Sequence, residues 1–509
     1  MAKVSGTQVM VAAAGLASVT GLAAAQQRTP GPDVIVGELH QVQSYGQTTV
    51  NSVTYNAYSV GTTSCNRGDT TLDWYDDSNQ TAGIPQSWWN RHPVIGQNAY
   101  RWKLVNGAEQ FDMIGQSWLK HGFTALQGNA CTLGCTPHTN GDELGVGCSD
   151  PYGSSLNGSQ GTGDLGPKSQ VNCHTGVYPF PVVYSPSMTI ANLLSRRVII
   201  KNNDLDPALN PGALYWVEGQ YVAWDDAQYV NGPTESLPGL TDNDNNNASH
   251  RRVSFTFSTT QNRYNIAFVS GQTTQRERGA IYGWSAAEAG VSVNPFDIPN
   301  EGRYVMGFKV TPIAGGMYHY EYAIFNINSE RAGYGFRINY PEGRASTVAP
   351  TNIGFNDSDY HSGEIYDNTD WVNVADSTGI EWHSPQTFAQ NANSNALRWS
   401  TTYSFRFDSP RPPVAGTATF TLFKPGNVGD PAFVTVPIQV PQPVPCDTDF
   451  NNDGLFPDTA DIDDLLAVFS GAPCPTASCD SIDVNGDGLF PDTLDIDDFL
   501  AIFSGAPCV

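Results

Sequence analysis

The sequence predicts a mainly β chain: an antiparallel β-sandwich body, a loop-rich cysteine-containing N-terminal part packed on it, and a small α-helical module at the C-terminus. Three observations carry this. Only 15% of the 509 residues are charged, while aromatics reach 11% and there are 50 glycines and 34 prolines, the mixture of short strands joined by many turns. Apolar residues alternate with period two through the middle of the chain. At the end, two nearly identical segments each join an acidic loop to a helical apolar stripe.

Length favours about three folding units over one core. Lys and Arg number 25 against 50 Asp and Glu, a net charge of -25, which repels phosphate backbones and anionic lipid alike. Neither a nucleic-acid partner nor membrane insertion is expected. Residues 1–25 carry Lys3, then an apolar and small-residue run from Val9 to Ala25, the pattern of a secretory signal peptide; an uncleaved anchor is the alternative. The protein is expected to be secreted, extracellular or on a cell surface. In such an oxidising space its nine cysteines read first as disulfides, with at least one thiol left over.

Residues 26–187 read as irregular, with Cys65, Cys131, Cys135, Cys148 and Cys173 scattered among Gly, Asn, Ser and Thr. Five cysteines allow two bonds and a remainder. Cys131, Cys135, His138, Cys148, Cys173 and His174 can also suit zinc or copper, but disulfides are the simpler reading. Residues 188–436 form the expected sandwich, with Val253, Phe255 and Phe257, then Tyr264, Ile266 and Phe268, then Tyr318, Tyr320, Tyr322 and Ile324 on single strand faces. A further run aligns Leu397, Trp399, Thr401, Tyr403, Phe405 and Phe407, followed by 417–423. Separate small β domains or a barrel remain open, because strand order is not visible in one sequence. Residues 437–445, PIQVPQPVP, read as a stiff extended spacer.

No catalytic motif marks the body, so whether it is an enzyme stays open. His121, His138, His174 and His361 have no spacing to a nucleophile. Glu218, Asp225, Asp226, Glu321 and Glu381 are carboxylates of the kind a glycoside hydrolase sets across a cleft; solvated strand and turn charge is their plainer role. Trp74, Trp88, Trp89, Trp102 and Trp118 can stack on sugars or fill the core. The run Asp242 to Asn247 reads as a turn. The segment 318–329 with 335–338 resembles strands of immunoglobulin-like sandwiches in secreted bacterial surface proteins, which implies a binding or structural role.

Residues 446–509 carry the clearest chemistry. Each repeat contains D-x-N-x-D-G, with Asp449, Asn451, Asp453 and Gly454 in the first and Asp483, Asn485, Asp487 and Gly488 in the second. Oxygens at alternate positions converge on one hard cation, the glycine permits a sharp turn, and the carbonyl of Leu455 or Leu489 adds a ligand. Asp461 and Asp495 close the loops one residue later than in a standard EF-hand, with Asp458 and Asp492 inside the insertion. Ile462, Leu465, Leu466 and Phe469, and Ile496, Phe499, Leu500 and Phe503, then follow helical spacing. Two Ca2+ sites are expected. This tail resembles the dockerin family, in its cysteine-bounded variant. The resemblance implies calcium ligation by Asp449, Asn451, Asp453, Asp461, Asp483, Asn485, Asp487 and Asp495, and a cohesin-like or cell-surface protein partner. The segment has no Lys or Arg, so it repels itself without metal; Cys446–Cys474 and Cys479–Cys508 bonds are expected to clamp each repeat.

The expectation is a secreted calcium-binding surface or matrix protein with a non-catalytic β-sandwich body, anchored or assembled through this tail. The alternative is a polysaccharide-active hydrolase or lyase, or a carbohydrate-binding protein, delivered to its polysaccharide by the same tail.

Overall fold

The longest strands lie where the sequence reads as loop. Val34–Val50 and Val53–Asn66 form an antiparallel hairpin of 17 and 14 residues, closed by Asn51 and Ser52 in the left-handed region, as a two-residue hairpin turn requires. Ser, Thr, Gln and Asn fill these strands, and register shifts at three places break the alternation. Period-two reading therefore fails there, although hydroxyl and β-branched side chains suit a pleated surface.

The computed structural model describes residues 28–75, 91–122, 124–156, 165–179, 194, 196–228, 243–340, 350–360, 364–376, 378–442, 448–455, 458–475, 479–480, 482–484 and 492–504. The expected leader at 1–25, Trp88, Trp89, His361, Asp242, Cys446, Asn485, Asp487, Leu489 and Cys508 lie outside them.

The chain is mainly β, in several antiparallel sheets. The hairpin, with Ser149–Tyr152 and Val198–Lys201, makes one sheet. Its apolar face, Val36, Leu39, Tyr58 and Val60, packs on Ile95, Val217, Tyr221 and Val253 of a second sheet. That sheet runs in the order Arg263–Phe268, Ala248–Ser258, Leu214–Val222, Val94–Val105, Leu119–His121, Leu165–Gly166, with Ala108–Gln116 also paired to Val94–Val105. The expected boundary at residue 187 is thus not the one the sheets follow. Strands from both sides of it interleave in one sheet, because neither set alone presents a second apolar face.

A second pair of sheets follows. One runs in the order Ser292–Ile298, Gly302–Ile313, Met317–Asn326, Thr401–Ser409, Thr351–Asn356; the other Val372–Asp376, Gly379–His383, Gly333–Asn339, Pro413–Leu422, Phe433–Pro441. Tyr320, Tyr322, Phe405 and Phe407 from the first meet Phe336, Trp382, Phe420 and Val440 from the second. Each such buried large side chain contributes about 1.5–3 kcal/mol. The long run from Leu397 is cut by Ser400, whose φ of 58° leaves the strand region just before Thr401.

The Pro-rich segment is corrected. It supplies an edge strand as far as Pro441, pairing Pro437 with Thr417 and Val440 with Val414. An edge strand has one unpaired side, where a proline without an N–H is tolerated, and Val436, Ile438 and Val440 turn into the core.

The two sheet pairs are welded through a third core. Tyr100, Phe111, Met113 and Trp216 on the outer face of the second sheet pack against Ile281 and Trp284 of the helix Ile281–Ala287, and against Val305, Ala323 and Phe325. The second sheet is therefore covered on both faces, which is why Val94–Ala99 shows no exposed side.

The disulfides fit the arithmetic in the body: Cys65–Cys131 and Cys135–Cys148, with Cys173 free and buried. In the tail the expected pairing is corrected, because Cys474 bonds Cys479, five residues on. The bond staples one repeat to the next instead of closing each repeat, and pins the first part of the segment that leads from one helix to the second acidic loop. Those helices are Thr459–Phe469 and Thr493–Phe503. No helix among the described residues is long and apolar enough to cross a membrane.

Candidate functional site

The tail helices begin in the same way. Asp458 caps the first by accepting the Ala460 N–H at 2.7 Å, and Asp492 caps the second by accepting that of Leu494 at 2.8 Å. Asp461 and Asp495, three residues into each motif, reach back to the N–H of Asp458 at 3.0 Å and Asp492 at 2.9 Å. This reciprocal arrangement satisfies helix-start donors that have no intrahelical partner. Its consequence is burial: Asp461 is 0% and Asp495 1% exposed.

The second oxygen of each buried aspartate points across its loop. Asp461 Oδ1 accepts the Asn451 N–H at 3.4 Å, and Asp495 Oδ1 accepts that of Val484 at 2.8 Å. In the first loop, Asp449 accepts the N–H groups of Asp453 and Gly454, both at 2.9 Å, and Asp453 accepts that of Leu455 at 2.8 Å. Asn451 Oδ1 accepts the Asp453 N–H at 3.1 Å, while its amide donates to Asp464 at 2.8 Å. Gly454 at φ 80° and Asn452 at φ 57° make the reversal that these contacts need. The loop is wound with its side-chain oxygens toward its own amides, and each carboxylate retains lone pairs for an ion. Asp483 is the one D-x-N-x-D-G ligand of the second loop within the described residues.

Between the loops, Phe450, Leu465, Val484 and Phe499 form a small shared core. Leu466 and Leu500, at matching places in the two repeats, are instead 39% exposed each. Reading both as core from helical spacing missed that the narrow two-helix seam takes one leucine-type side of each helix only.

In the body, the sequence-flagged carboxylates are engaged. Glu218 is 0% exposed and accepts from Asn98 Nδ2 and Tyr100 Oη, each at 2.9 Å, and from the Ala280 N–H at 2.6 Å. Burial nonetheless holds its carboxyl above the usual range. Lys168 lies in the same pocket, bonding Gln116 and the Ser400 carbonyl at 3.1 Å, and burial pushes its ammonium down to about 7. Glu321, 1% exposed, takes Arg406 at 2.8 Å, and Arg406 also holds Asp112 at 2.6 Å. His319 bridges Asp408 at 2.6 Å and Glu321 at 3.3 Å; those carboxylates outweigh burial and raise its pKa. Glu381 faces Arg337 at 3.7 Å on a strand. Asp225 accepts the Asp73 N–H at 2.8 Å, and burial with Asp73 beside it pushes it up to about 7. Glu218 and Glu321 thus belong to the polar seam between the sheet pairs, a role no spacing in the sequence signals.

Trp74, Trp102 and Trp118 are buried. His121 is hydrogen-bonded to His92, their ring nitrogens 2.9 Å apart. His138 lies 3.7 Å from Glu143; of the cysteines considered for zinc, Cys131, Cys135 and Cys148 are in disulfides while Cys173 is free and buried. Among the described residues no three His, Cys, Asp or Glu side chains form a ready-made metal cage.

No protein-family model and no curated protein matches the chain. Among solved structures, the KRT10-binding region domain of the pneumococcal serine rich repeat protein PsrP is similar over 28% of this chain and 95% of its own length, at 13% identity and a TM-score of 0.16. That likeness is too slight to transfer fold or function.

Proposed function

We propose that this is an exported calcium-binding surface or matrix protein, whose β body is a non-catalytic structural or binding element held in place by a dockerin-like, EF-hand-type tail. One observation carries the reading: the same buried aspartate recurs at both tail helix starts, Asp461 and Asp495, each with one oxygen on the helix cap and one across the acidic loop. A hard cation with oxygen ligands suits that arrangement and offsets the self-repulsion of an Asp-rich segment without cations. Two ions would be held, by Asp449, Asn451, Asp453, the Leu455 carbonyl and Asp461, and by the corresponding Asp483, Asn485, Asp487, Leu489 and Asp495. The exposed Leu466 and Leu500 would give a cohesin-like or other surface protein an apolar pair, repeated in sequence, to grip. Three disulfides among the described residues support an oxidising compartment. Internal pairing of Glu218 and Glu321 supports the non-catalytic body.

The test is fractionation of producing cells. The full chain is expected on the cell surface or matrix in calcium and in the medium after chelation, with the Asp449→Ala/Asp483→Ala variant soluble in both. Equal distribution of the two proteins in calcium would contradict the proposal.

A further inference from the structure

The Asn-rich run has a second property that a turn alone does not explain. Asn243–Asn246 is a 3-10 turn lying against the short helix Trp224–Ala227 and the start of strand Val34–Val50. Asn246 Nδ2 donates to Asp33 Oδ2 at 3.3 Å, and its neighbour Asn247 donates to Asp226 Oδ2 at 2.7 Å. Asn243 holds the incoming chain by donating to the carbonyls of Pro30 at 2.9 Å and Pro32 at 2.6 Å. Adjacent amides thus hold two carboxylates that are 193 residues apart in sequence.

The two acids and Asn247 are out of water, while Asn246 is half-buried. Asp33 and Asp226 are 0% exposed and Asn247 1%. Yet Asp33 Oδ1, Asp226 Oδ1, Asn246 Oδ1 and Asn247 Oδ1 are each buried without a hydrogen-bond partner. Four unsatisfied acceptors in one patch, two of them on acids, is a costly arrangement that native proteins avoid. Burial, then Asp33 and Asp244 nearby, drive the Asp226 carboxyl well above its ordinary value. Arg67, whose charge reaches Asp33, is itself engaged by Glu277.

We propose that Asp33, Asp226, Asn246 and Asn247 hold a calcium ion in the body, independent of the tail loops. Carboxylates and neutral amide oxygens, with no imidazole or thiolate among them, are the ligands of a hard cation that tolerates irregular geometry. The amides are needed to complete the set, since the acids alone do not form a cage. A polar cavity of about 350 Å³, lined by Asn243, Asn246, Arg67, Glu277 and Arg303 among others, adjoins the cluster on the Asn246 side. The bound ion would rivet the N-terminal segment, the Trp224–Ala227 helix and the Asn turn to the first sheet pair.

Four full-length proteins, stripped of metal, test this by equilibrium dialysis against 45Ca and by thermal unfolding followed through tryptophan fluorescence: wild type, Asp226→Asn, the tail variant Asp449→Ala/Asp483→Ala, and the combination. Asp226→Asn keeps shape and removes one buried charge, so the metal-free fold is expected to persist. The tail variant should keep one bound calcium that raises the body's melting temperature; adding Asp226→Asn should weaken that ion about tenfold or more and abolish the rise. A tail variant that binds no calcium, or whose remaining ion is indifferent to Asp226→Asn, overturns the proposal and leaves the tail reading intact. If the tail variant binds as much as wild type while Asp226→Asn loses one equivalent, the tail reading fails and the body site stands.

Discussion

Asp150 illustrates what burial does to a single acid in this protein. It is 2% exposed, on the short strand Ser149–Tyr152, and accepts the Leu126 N–H at 3.0 Å. Burial outweighs that bond and pushes its carboxyl up to about 7. The folded state therefore keeps a proton between about pH 4 and 7 that the unfolded state has released. With more protons bound in the native state, stability falls as pH rises through that window, and the contribution is fully present only below it. Asp150→Asn is expected to flatten this slope, read as denaturation midpoints at pH 5 and pH 8 in the presence of chelator. An unchanged slope would mean that Asp150 is ionised throughout. At this scale little was legible in the sequence. Glu218 and Glu321 look like any strand carboxylate until the strands that bury them, far away in the chain, are known.

Elements were legible in proportion to how one-sided they are. Met317–Asn326 shows it: Tyr320, Tyr322 and Ile324 face the sandwich core, and the alternation is plain, although the opposite face, with His319, Glu321, Ala323 and Phe325, is buried as well. Val53–Asn66 conceals itself, since Asn56, Ser59, Thr62, Thr63 and Ser64 are all buried beside its apolar residues. Polar side chains satisfied inside a protein carry no hydropathy signal. The tail helices were readable from caps and spacing together, but at 11 residues each they are too short to persist alone. Asp458→Ala and Asp492→Ala are each expected to cost about 0.5–2 kcal/mol, seen as a lower melting temperature for the 222 nm signal in calcium. A melting curve that does not move would show that these aspartates do not cap. Neither residue is in the assigned ligand set, so calcium should still bind.

At the scale of the whole molecule, two sheet pairs share an interface that is both apolar and ionic. Trp284 stacks on Phe111 while Arg406 joins Asp112 of one pair to Glu321 of the other. Removing one member of such a buried group strands the rest, so the loss of Arg406, Asp112 or Glu321 is expected to loosen the contact between the two pairs. In the acidic tail, duplicated oxygens, the exposed Leu466 and Leu500 and the absence of Lys and Arg coincide, which is why the proposed calcium sites are tested there. The most direct test is a calcium titration of the metal-free full chain followed at 222 nm, beside Asp449→Ala/Asp483→Ala. Wild type is expected to gain helical signal saturably and reversibly with chelator, and the variant to show no gain. Superimposable titrations of the two proteins would contradict the assignment of these loops to calcium.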